Sequence, residues 1–402
     1  MASSYRLKHL SNPGILKKMA FPLLLRLLEP YRDYLKGRGL GWTDREDGFD
    51  YAALAVVLAS PTEETPEVLL DALYIIDATA EEELFDDIRD RAAEAGVDLG
   101  GLAEPSPADL AALVWLERPA LLEEVHAEQQ LTRPRRFVSY LSRRGPGAAL
   151  AQPPGQVLIA LQEDLDRWFA EHKKGHRAVR VFFFPRQDGA WLLVRHGLRI
   201  TREGTVESDG RPGRVYYRPE KFDVLIYHAD RGELAIHTAT KGEQEAYCRR
   251  FGRHLLGDEG YFDFPNTRPK YTLRPIIVRG RAALACRLDE CIAAVRLVEL
   301  QFLHDCRQRY VEIHRADDVF DAMGEKGRGV PEDARLVCMK LQVLFAGAVR
   351  WRSVVLRTPN VAVFDRDSDS EAVHAWLEER GFLCGEEAKA GDVADEQTVA
   401  VP

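Results

Sequence analysis

The sequence has few cysteines, and no two of them form a C-x-x-C pair. Six occur among 402 residues, at irregular spacing and partly within apolar runs: Cys248, Cys286, Cys291, Cys306, Cys338 and Cys384. Free cysteines in apolar runs are usually small core residues. We therefore predict reduced thiols rather than a disulfide framework, which is typical of small exported domains.

Long hydrophobic runs are also missing. Near the start, residues 20–25 form a short apolar stretch that Arg26 interrupts. A membrane span needs roughly 20 apolar residues, and a signal peptide needs an unbroken apolar region with a small-residue cleavage site. The sequence predicts neither, so we expect a cytoplasmic protein that does not contact a membrane.

Three sequence motifs of nucleotide and ester chemistry are absent. The chain has no G-x-x-x-x-G-K-[ST] phosphate loop, no G-x-G-x-x-G at a strand-to-helix turn and no G-x-S-x-G elbow. These motifs supply the backbone cradle or the exposed nucleophile that such enzymes use. Their absence disfavours an ATPase, a dinucleotide-dependent enzyme and an α/β-hydrolase, and we expect no cofactor.

The charge of the chain is strongly segregated. Residues 44–130 contain 23 acids and four arginines, whereas residues 1–43 contain eight basic residues and two acids. Residues 131–384 carry a net charge of +8, and residues 385–402 carry −4. Charge segregation affects partners and association rather than the fold. An acidic module and a basic module therefore occupy one chain.

Hydrophobic periodicity predicts an α+β protein. An acidic, all-helical N-terminal module precedes a largely antiparallel α/β body and a small strand-strand-helix unit. The Gly- and Pro-rich residues 145–155 suggest a linker. The predicted domains are a helical module with basic ends (1–145), an α+β body (156–320), a C-terminal strand-strand-helix unit (331–384) and a disordered tail (385–402).

Turn and capping signals place the individual elements. Helices are predicted to begin at Thr65-Pro66, near Ala80 and at Ser106, since these residues suit helix N-termini. Further helices are predicted over 157–173, 241–256 and 370–380. Predicted strands are 179–184, 191–194, 222–228, 233–239, 275–278, 282–286, 295–301, 310–314, 335–344 and 353–356.

A metal-dependent nuclease is one functional alternative. Restriction-type nucleases place an acid on one strand and an acid-x-Lys on its neighbour, where they hold a divalent cation. Asp223 and Glu233 suit the residue types, but hairpin pairing separates them by five or six residues, and Ala235 stands where the lysine is needed. Asp289 and Glu299 form a second, looser match. The weak catalytic candidates are therefore Asp223, Asp289 and Glu299, and no metal ligand is assigned.

Histidines offer no better-defined site. His196, His228 and His237 fall on predicted strands and could act as bases, but no acid, serine or cysteine is placed by sequence beside them. His172 and His176 have i, i+4 spacing, yet the intervening glycine and lysines argue against a metal-binding helix. Half-buried structural histidines are the preferred interpretation.

Nucleic-acid binding has more support. Residues 172–218 contain eleven basic residues against four acids, with interspersed aromatics, and residues 133–144 contain five arginines and no acid. Basic side chains neutralise phosphates, and aromatic rings provide stacking surfaces. The candidate binding residues are Arg133, Arg135, Arg136, Arg211 and Arg214.

These observations favour a non-enzymatic accessory or regulatory protein of a bacterial multi-component system, for example in DNA processing or phage defence. It would bind a protein partner, and DNA or RNA binding is the second expected interaction. The alternatives are a nuclease-like enzyme, active or degenerate, and a pure protein-interaction scaffold. Whether the acidic module docks on its own basic body or on another chain stays open at this stage.

Overall fold

A computed structural model shows two compact units, Met1–Gln129 and Gln130–Pro402. The predicted linker at 145–155 lies within the second unit, and the division falls in a helix instead. Residues 5–100, 104–206, 210–265, 268–287, 291–304, 306–308, 310–333, 335–366 and 370–384 are described.

The described part of the first unit is helical, as predicted. Short 3-10 turns at Glu29–Tyr31 and Glu82–Leu84 precede the third and sixth helices. The helices are α1 (Pro13–Leu16), α2 (Phe21–Leu28), α3 (Arg32–Gly37), α4 (Tyr51–Ala59), α5 (Glu67–Thr79), α6 (Phe85–Glu94), α7 (Pro107–Glu117) and α8 (Pro119–Leu131).

Two buried acids organise this acidic unit. Asp109 completes a capping box with Ser106 at the start of α7 and also accepts a hydrogen bond from the backbone N–H of Ala20. Asp77 on α5 accepts the backbone N–H groups of residues 8–10. These carboxylates satisfy backbone donors that would otherwise be costly to bury.

The start of α5 differs by one residue from the prediction. Pro66, rather than Thr65, is the N-cap residue. The Thr65 hydroxyl instead lies 2.6 Å from the Tyr34 hydroxyl and accepts the N–H of Thr62 at 2.8 Å. Thr65 therefore closes a turn and binds α3, and it does not cap the helix.

The second unit combines one large sheet with flanking helices. A 3-10 turn at Gly280–Leu284 directly follows the helix Arg274–Arg279. In chain order its elements are β1 (Arg136–Leu141), α9 (Gly155–Glu171), β2 (Arg180–Arg186), β3 (Gly189–Gly197), β4 (Thr201–Val206), β5 (Pro212–Tyr217), β6 (Glu220–His228), β7 (Glu233–His237), α10 (Lys241–Leu255), α11 (Arg274–Arg279), β8 (Ile292–Leu303), β9 (Val311–Arg315), α12 (Val319–Glu325), β10 (Arg335–Phe345), β11 (Arg352–Arg357), β12 (Val361–Val363) and α13 (Ser370–Glu379).

Ten strands form one antiparallel sheet in the order β2-β3-β6-β7-β1-β12-β11-β10-β8-β9. The first strand of the unit, β1, lies at the middle. Its Val138 pairs with Ile236 of β7 on one side and with Val361 of β12 on the other. The strands predicted for residues 331–384 thus continue the same sheet, and the α+β class is confirmed.

Two hydrophobic cores cover the two halves of this sheet. In the first, α9 and α10 contribute Phe169 and Phe251, which are buried with Leu192 and Leu225 of the strands. In the second, side chains of α11 and α13 are buried with those of β8, β10 and β11. Fully burying one such side chain contributes roughly 1.5–3 kcal/mol. Each half of the sheet is therefore stabilised mainly by packing against its own helices rather than by local secondary-structure propensity.

Two predicted strands are wrong. Residues 275–278 lie in helix α11, and residues 282–286 fall largely within the 3-10 turn that follows it. Pro275 occupies the first turn of α11, where its missing N–H costs nothing, and Gly280 ends the helix at a φ of 55°. Apolar runs this short do not distinguish strand from helix by periodicity alone.

A buried histidine lies on helix α13 of this unit. His374 on α13 is 5% exposed, and neither of its ring nitrogens has a hydrogen-bond partner among the described residues. Burial, reinforced by the positive charges of Lys270 and Arg231, lowers the pKa of His374 to about 3. The folded protein therefore holds this ring neutral, whereas the unfolded chain protonates it near pH 6.5.

This difference predicts a loss of stability in mild acid. Below the unfolded pKa the unfolded chain binds a proton that the folded chain does not, so stability falls as the pH decreases. We expect the free energy of unfolding to drop by about 2 kcal/mol between pH 7 and pH 5 through this group. Urea unfolding at both pH values measures it, and His374→Leu should remove that part of the drop. An equal drop in the variant would contradict the assignment.

Candidate nucleic-acid interface

The strand registers bring several chain segments to one end of the sheet. Gly197, at the end of β3, pairs with Glu220 at the start of β6. Val138, near the start of β1, pairs with Ile236, near the end of β7. Antiparallel neighbours alternate in direction, so the connections beside these residues meet at the same end of the sheet. This end of the sheet, called the basic end below, comprises residues 133–136, 173–177, 198–206, 210–221 and 238–241.

A two-stranded ribbon leaves the basic end. Strands β4 and β5 pair with each other and belong to a separate two-stranded sheet. Directly opposite residues share a face, because side chains alternate along a strand. One face carries three opposite pairs, Arg202 with Tyr216, Gly204 with Arg214 and Val206 with Pro212.

That face of the ribbon is open to solvent and basic. Tyr216 is 61% exposed and Val206 is 80% exposed, and Arg202 and Arg214 are also exposed. Its six paired positions include no acid. Glu203 lies on the opposite face, where it accepts a hydrogen bond from Tyr217 that raises the pKa of that phenol. The ribbon thus presents two arginines and one aromatic ring together.

Arg218 fixes the base of the ribbon. Its Nη1 donates to the carbonyl of Lys173 at 2.9 Å and to the carbonyl of Leu198 at 2.6 Å. A Cβ on Gly197 would lie only 2.4 Å from Cδ of Arg218 and 2.7 Å from the carbonyl oxygen of Lys174, so a larger residue there would displace this clamp.

A cavity opens beside this clamp. Its volume is about 490 Å³, and four basic residues line it, namely Lys173, His176, Arg199 and Arg218. Ala170, Gly175 and Ile200 complete the lining, which contains no acid. The cavity is therefore cationic with a small apolar part.

Beneath the ribbon, a buried carboxylate joins three strands and a helix. Asp223 on β6 is fully buried, and its Oδ2 accepts hydrogen bonds from His196 at 2.9 Å, Thr238 at 2.8 Å and Tyr247 at 2.8 Å. Nζ of Lys221 lies 2.6 Å from Oδ1. These contacts connect β3 and β6 with α10 and with the residue that follows β7.

A second buried carboxylate continues this network. Glu243 forms a capping box with Thr240 at the start of α10, and its Oε2 lies 2.7 Å from the hydroxyl of Thr238. Lys174 forms an ion pair with the other carboxylate oxygen. The Thr238 hydroxyl thus lies between Asp223 and Glu243 and donates its single proton to one of them at a time, while two lysines provide the counter-charge.

Both carboxylates are held in the ionised form. Burial raises the pKa of Asp223, but the hydrogen bond from His196 and the charge of Lys221 outweigh it and bring the pKa to about 2. Burial likewise raises the pKa of Glu243, and the Lys174 ammonium more than compensates. The pKa of Tyr247 is raised well above its usual range by burial and by the charge of Asp223. Tyr247 is therefore a permanent donor.

The same residues have the composition of a metal site. One ligand atom each of His196, Asp223 and Glu243 lies within 4.8 Å of the other two. All three side chains are buried, and the carboxylates already form ion pairs, Asp223 with Lys221 and Glu243 with Lys174. Adding a divalent cation would place uncompensated positive charge in the core. The geometry fits a structural network better than a metal centre.

The candidate catalytic acids do not come together. The register pairs His228 with Glu233, so Glu233 lies at the opposite end of β6 from Asp223. Glu299 on β8 forms an ion pair with Arg315 at 2.7 Å. Six inter-strand steps separate β6 from β8, or roughly 29 Å at about 4.8 Å per step. Asp289 lies outside the described residues.

The candidate arginines divide into two groups at the basic end. Arg211 and Arg214 belong to the ribbon segment, with Arg214 exposed on its basic face. Arg133, Arg135 and Arg136 are exposed just before and at the start of β1, two strands from β6. Arg135 forms an ion pair with Asp365 at 2.5 Å.

Sequence patterns placed Arg199, Arg202, Tyr216 and Arg218 within the basic, aromatic segment 172–218 but did not single out these three arginines as site residues. The missed signal was the ribbon itself, two short segments, 201–206 and 212–217, on either side of an Asp-Gly dipeptide at 209–210, a sequence common in hairpin turns. His196 was likewise left without a partner, because Asp223 is 27 positions away in sequence. Only the strand register brings the two together.

Comparison with known proteins adds no identification. No protein-family model matches the chain, and no curated protein sequence matches it significantly. Within the described ranges, none of the helices combines the length and apolar character that crossing a membrane requires. The interface is therefore interpreted from its own geometry.

Removing the charge of Asp223 should destabilise the second unit. Asp223→Asn leaves Lys221 without its counter-ion and replaces one accepting oxygen with an amide NH2 that faces other donors, so we expect a loss of about 3–5 kcal/mol in the free energy of unfolding. Urea unfolding measures the loss. Asp188→Asn is the matched control, because Asp188 pairs with His228 in a turn and is 47% exposed; it should cost at most about 1 kcal/mol. Equal losses in the two variants would show that the buried network stabilises the fold no more than an exposed ion pair does.

Proposed function

We propose that the protein is a non-enzymatic nucleic-acid-binding subunit and that it binds duplex DNA through the β4–β5 ribbon. The observation that supports this most directly is the exposed face on which Arg202, Arg214 and Tyr216 lie together without an acid. Exposed aromatic and basic residues clustered on a projecting element are typical of interaction surfaces.

The dimensions of the ribbon suit a DNA groove. Each strand has six residues, which gives a length of roughly 20 Å at about 3.3 Å per residue. The major groove of B-DNA is about 12 Å wide and admits a two-stranded β-ribbon. Arginine donates two parallel hydrogen bonds to guanine or phosphate, so Arg202 and Arg214 are suited to base edges or backbone.

The charge distribution supports a contact through the second unit. The helical residues 44–130 contain 23 acids and four arginines and would repel phosphates. The basic end instead carries arginines both on the ribbon and before β1. In this role the acidic unit remains available for a basic protein partner, as an accessory subunit of a multi-component DNA-processing or defence system would require.

Binding should weaken steeply with salt. For a contact that neutralises Z phosphates, the slope of log K against log salt is about −0.9Z on duplex DNA. We expect the double variant Arg202→Gln/Arg214→Gln to lower the affinity and to reduce the slope by roughly 2. Fluorescence anisotropy with a labelled duplex between 50 and 200 mM salt measures both quantities.

Arg186→Gln provides the control, since Arg186 is exposed in the β2–β3 turn at the opposite end of the same strands. It should bind like the unmodified protein. Undetectable binding at 50 mM salt, or an unchanged slope in the double variant, would refute the proposal. Preference for single strands or RNA over the duplex would retain nucleic-acid binding but reject the groove geometry. If nucleic acid does not bind and residues 44–130 retain a basic protein, the scaffold alternative is favoured.

A further inference from the structure

We infer that the cavity beside the ribbon is a pocket for the phosphate group of a nucleotide. As a contact to nucleic acid this rests on the proposed function, whereas binding of the phosphate group depends on the pocket alone. Four basic side chains line the cavity, those of Lys173, His176, Arg199 and Arg218, and no acid does.

Arg218 is already held in place. Its Nη1 donates to the carbonyls of Lys173 and Leu198, which fixes the guanidinium plane between the ribbon and the loop 173–177. The side chain also packs over Gly175, where a Cβ would lie 3.0 Å from Cδ of Arg218. A fixed guanidinium loses little conformational entropy when a phosphate binds.

The loop 173–177 is held in an unusual conformation. Lys173 and Arg177 have φ angles of 63° and 56°, and Gly175 has a φ of 113°. Positive φ is unfavourable for residues with a Cβ and persists only where surrounding contacts impose it. Lys173 has this conformation because it follows the last turn of α9, where its N–H and that of Lys174 donate to the carbonyls of Ala170 and Phe169. At Arg177 the conformation depends on contacts of the loop itself.

One anchor of the loop is a carboxylate on α9. Asp166 accepts the backbone N–H groups of residues 177–179 and lies 3.2 Å from the ring of His176. This acid is thus occupied by backbone donors and orients His176.

The other anchor is Lys174. Its backbone N–H donates to the carbonyl of Phe169, and its ammonium pairs with the buried Glu243. The loop is therefore fixed on both sides of Gly175. The backbone that carries its two cavity-lining basic residues, Lys173 and His176, is therefore in place before any ligand arrives.

Helix α9 ends near the cavity, and the carbonyls of Trp168 and Ala170 at this end already accept hydrogen bonds. Trp168 accepts hydrogen bonds from the backbone and the ring of His172, and Ala170 accepts one from the N–H of Lys173. The partial negative charge of a helix C-terminus resides in such carbonyls, and these are occupied.

The size of the cavity favours more than a bare ion. A volume of about 490 Å³ lies in the range of small-molecule pockets, and Ala170 and Ile200 add an apolar part. A sugar or base can pack on these residues while the phosphate contacts the cations. The occupant is then one nucleotide unit, either within a nucleic acid or as a free mononucleotide.

The test uses the full chain and three probes, inorganic phosphate, deoxyadenosine monophosphate and a labelled duplex. Isothermal titration calorimetry should show that Arg199→Gln weakens phosphate and mononucleotide binding about tenfold, and that Arg186→Gln leaves both unchanged. Arg199 is the preferred site because its exposed side chain makes no hydrogen bond among the described residues. Arg218→Gln is a second variant, with circular dichroism to check folding.

The outcomes separate this inference from the proposed function. If Arg199→Gln binds phosphate and the mononucleotide as tightly as the unmodified protein, or if neither probe binds, the pocket assignment is wrong. Loss of duplex affinity in Arg202→Gln/Arg214→Gln with retained phosphate binding supports both. Phosphate binding that depends on Arg199, without any duplex binding, supports the pocket for a free nucleotide and rejects the ribbon as a DNA contact.

Discussion

The ionised carboxylate of Asp223, buried without exposure, is the interaction on which the architecture of the basic end depends. From β6 it binds His196, Thr238 and Tyr247, which lie on or beside two further strands and one helix. A buried charge is tolerable only when hydrogen bonds and a counter-ion replace its hydration. The cluster therefore specifies one arrangement of these elements, and the ribbon and the pocket both begin within a few residues of it.

The middle position of β1 imposes a second constraint. The strand occurs first in the unit, yet it pairs with β7 and β12, which come about 100 and more than 200 residues later. The two half-sheets are therefore joined by β1, whose two partner strands lie far from it in the sequence. Its buried residues Val138 and Tyr140 belong to the first core, while Ala362 on β12 belongs to the second.

Much of the fold was predictable, because strong local signals determine it. The β2–β3 hairpin follows from a β-rich run ending at Pro185 and an Asp-Gly turn, and α10 follows from its capping residue Thr240. The strand β1 was missed because arginines surround its short buried run from Phe137 to Tyr140. The candidate site was harder to predict from the sequence, because the contacts of Asp223 depend on strand register. Placing Arg202, Arg214 and Tyr216 on one face required the pairing of β4 with β5.

The ribbon also has an independent hydrogen-bond ladder. It leaves the sheet after Gly197 and returns at Glu220, and these two residues are themselves paired. The strands β3 and β6 would remain adjacent if a short turn replaced everything between them. Such an insertion can vary in length and sequence among descendants without disturbing the interior. The surface that the ribbon presents can thus change while the scaffold stays constant.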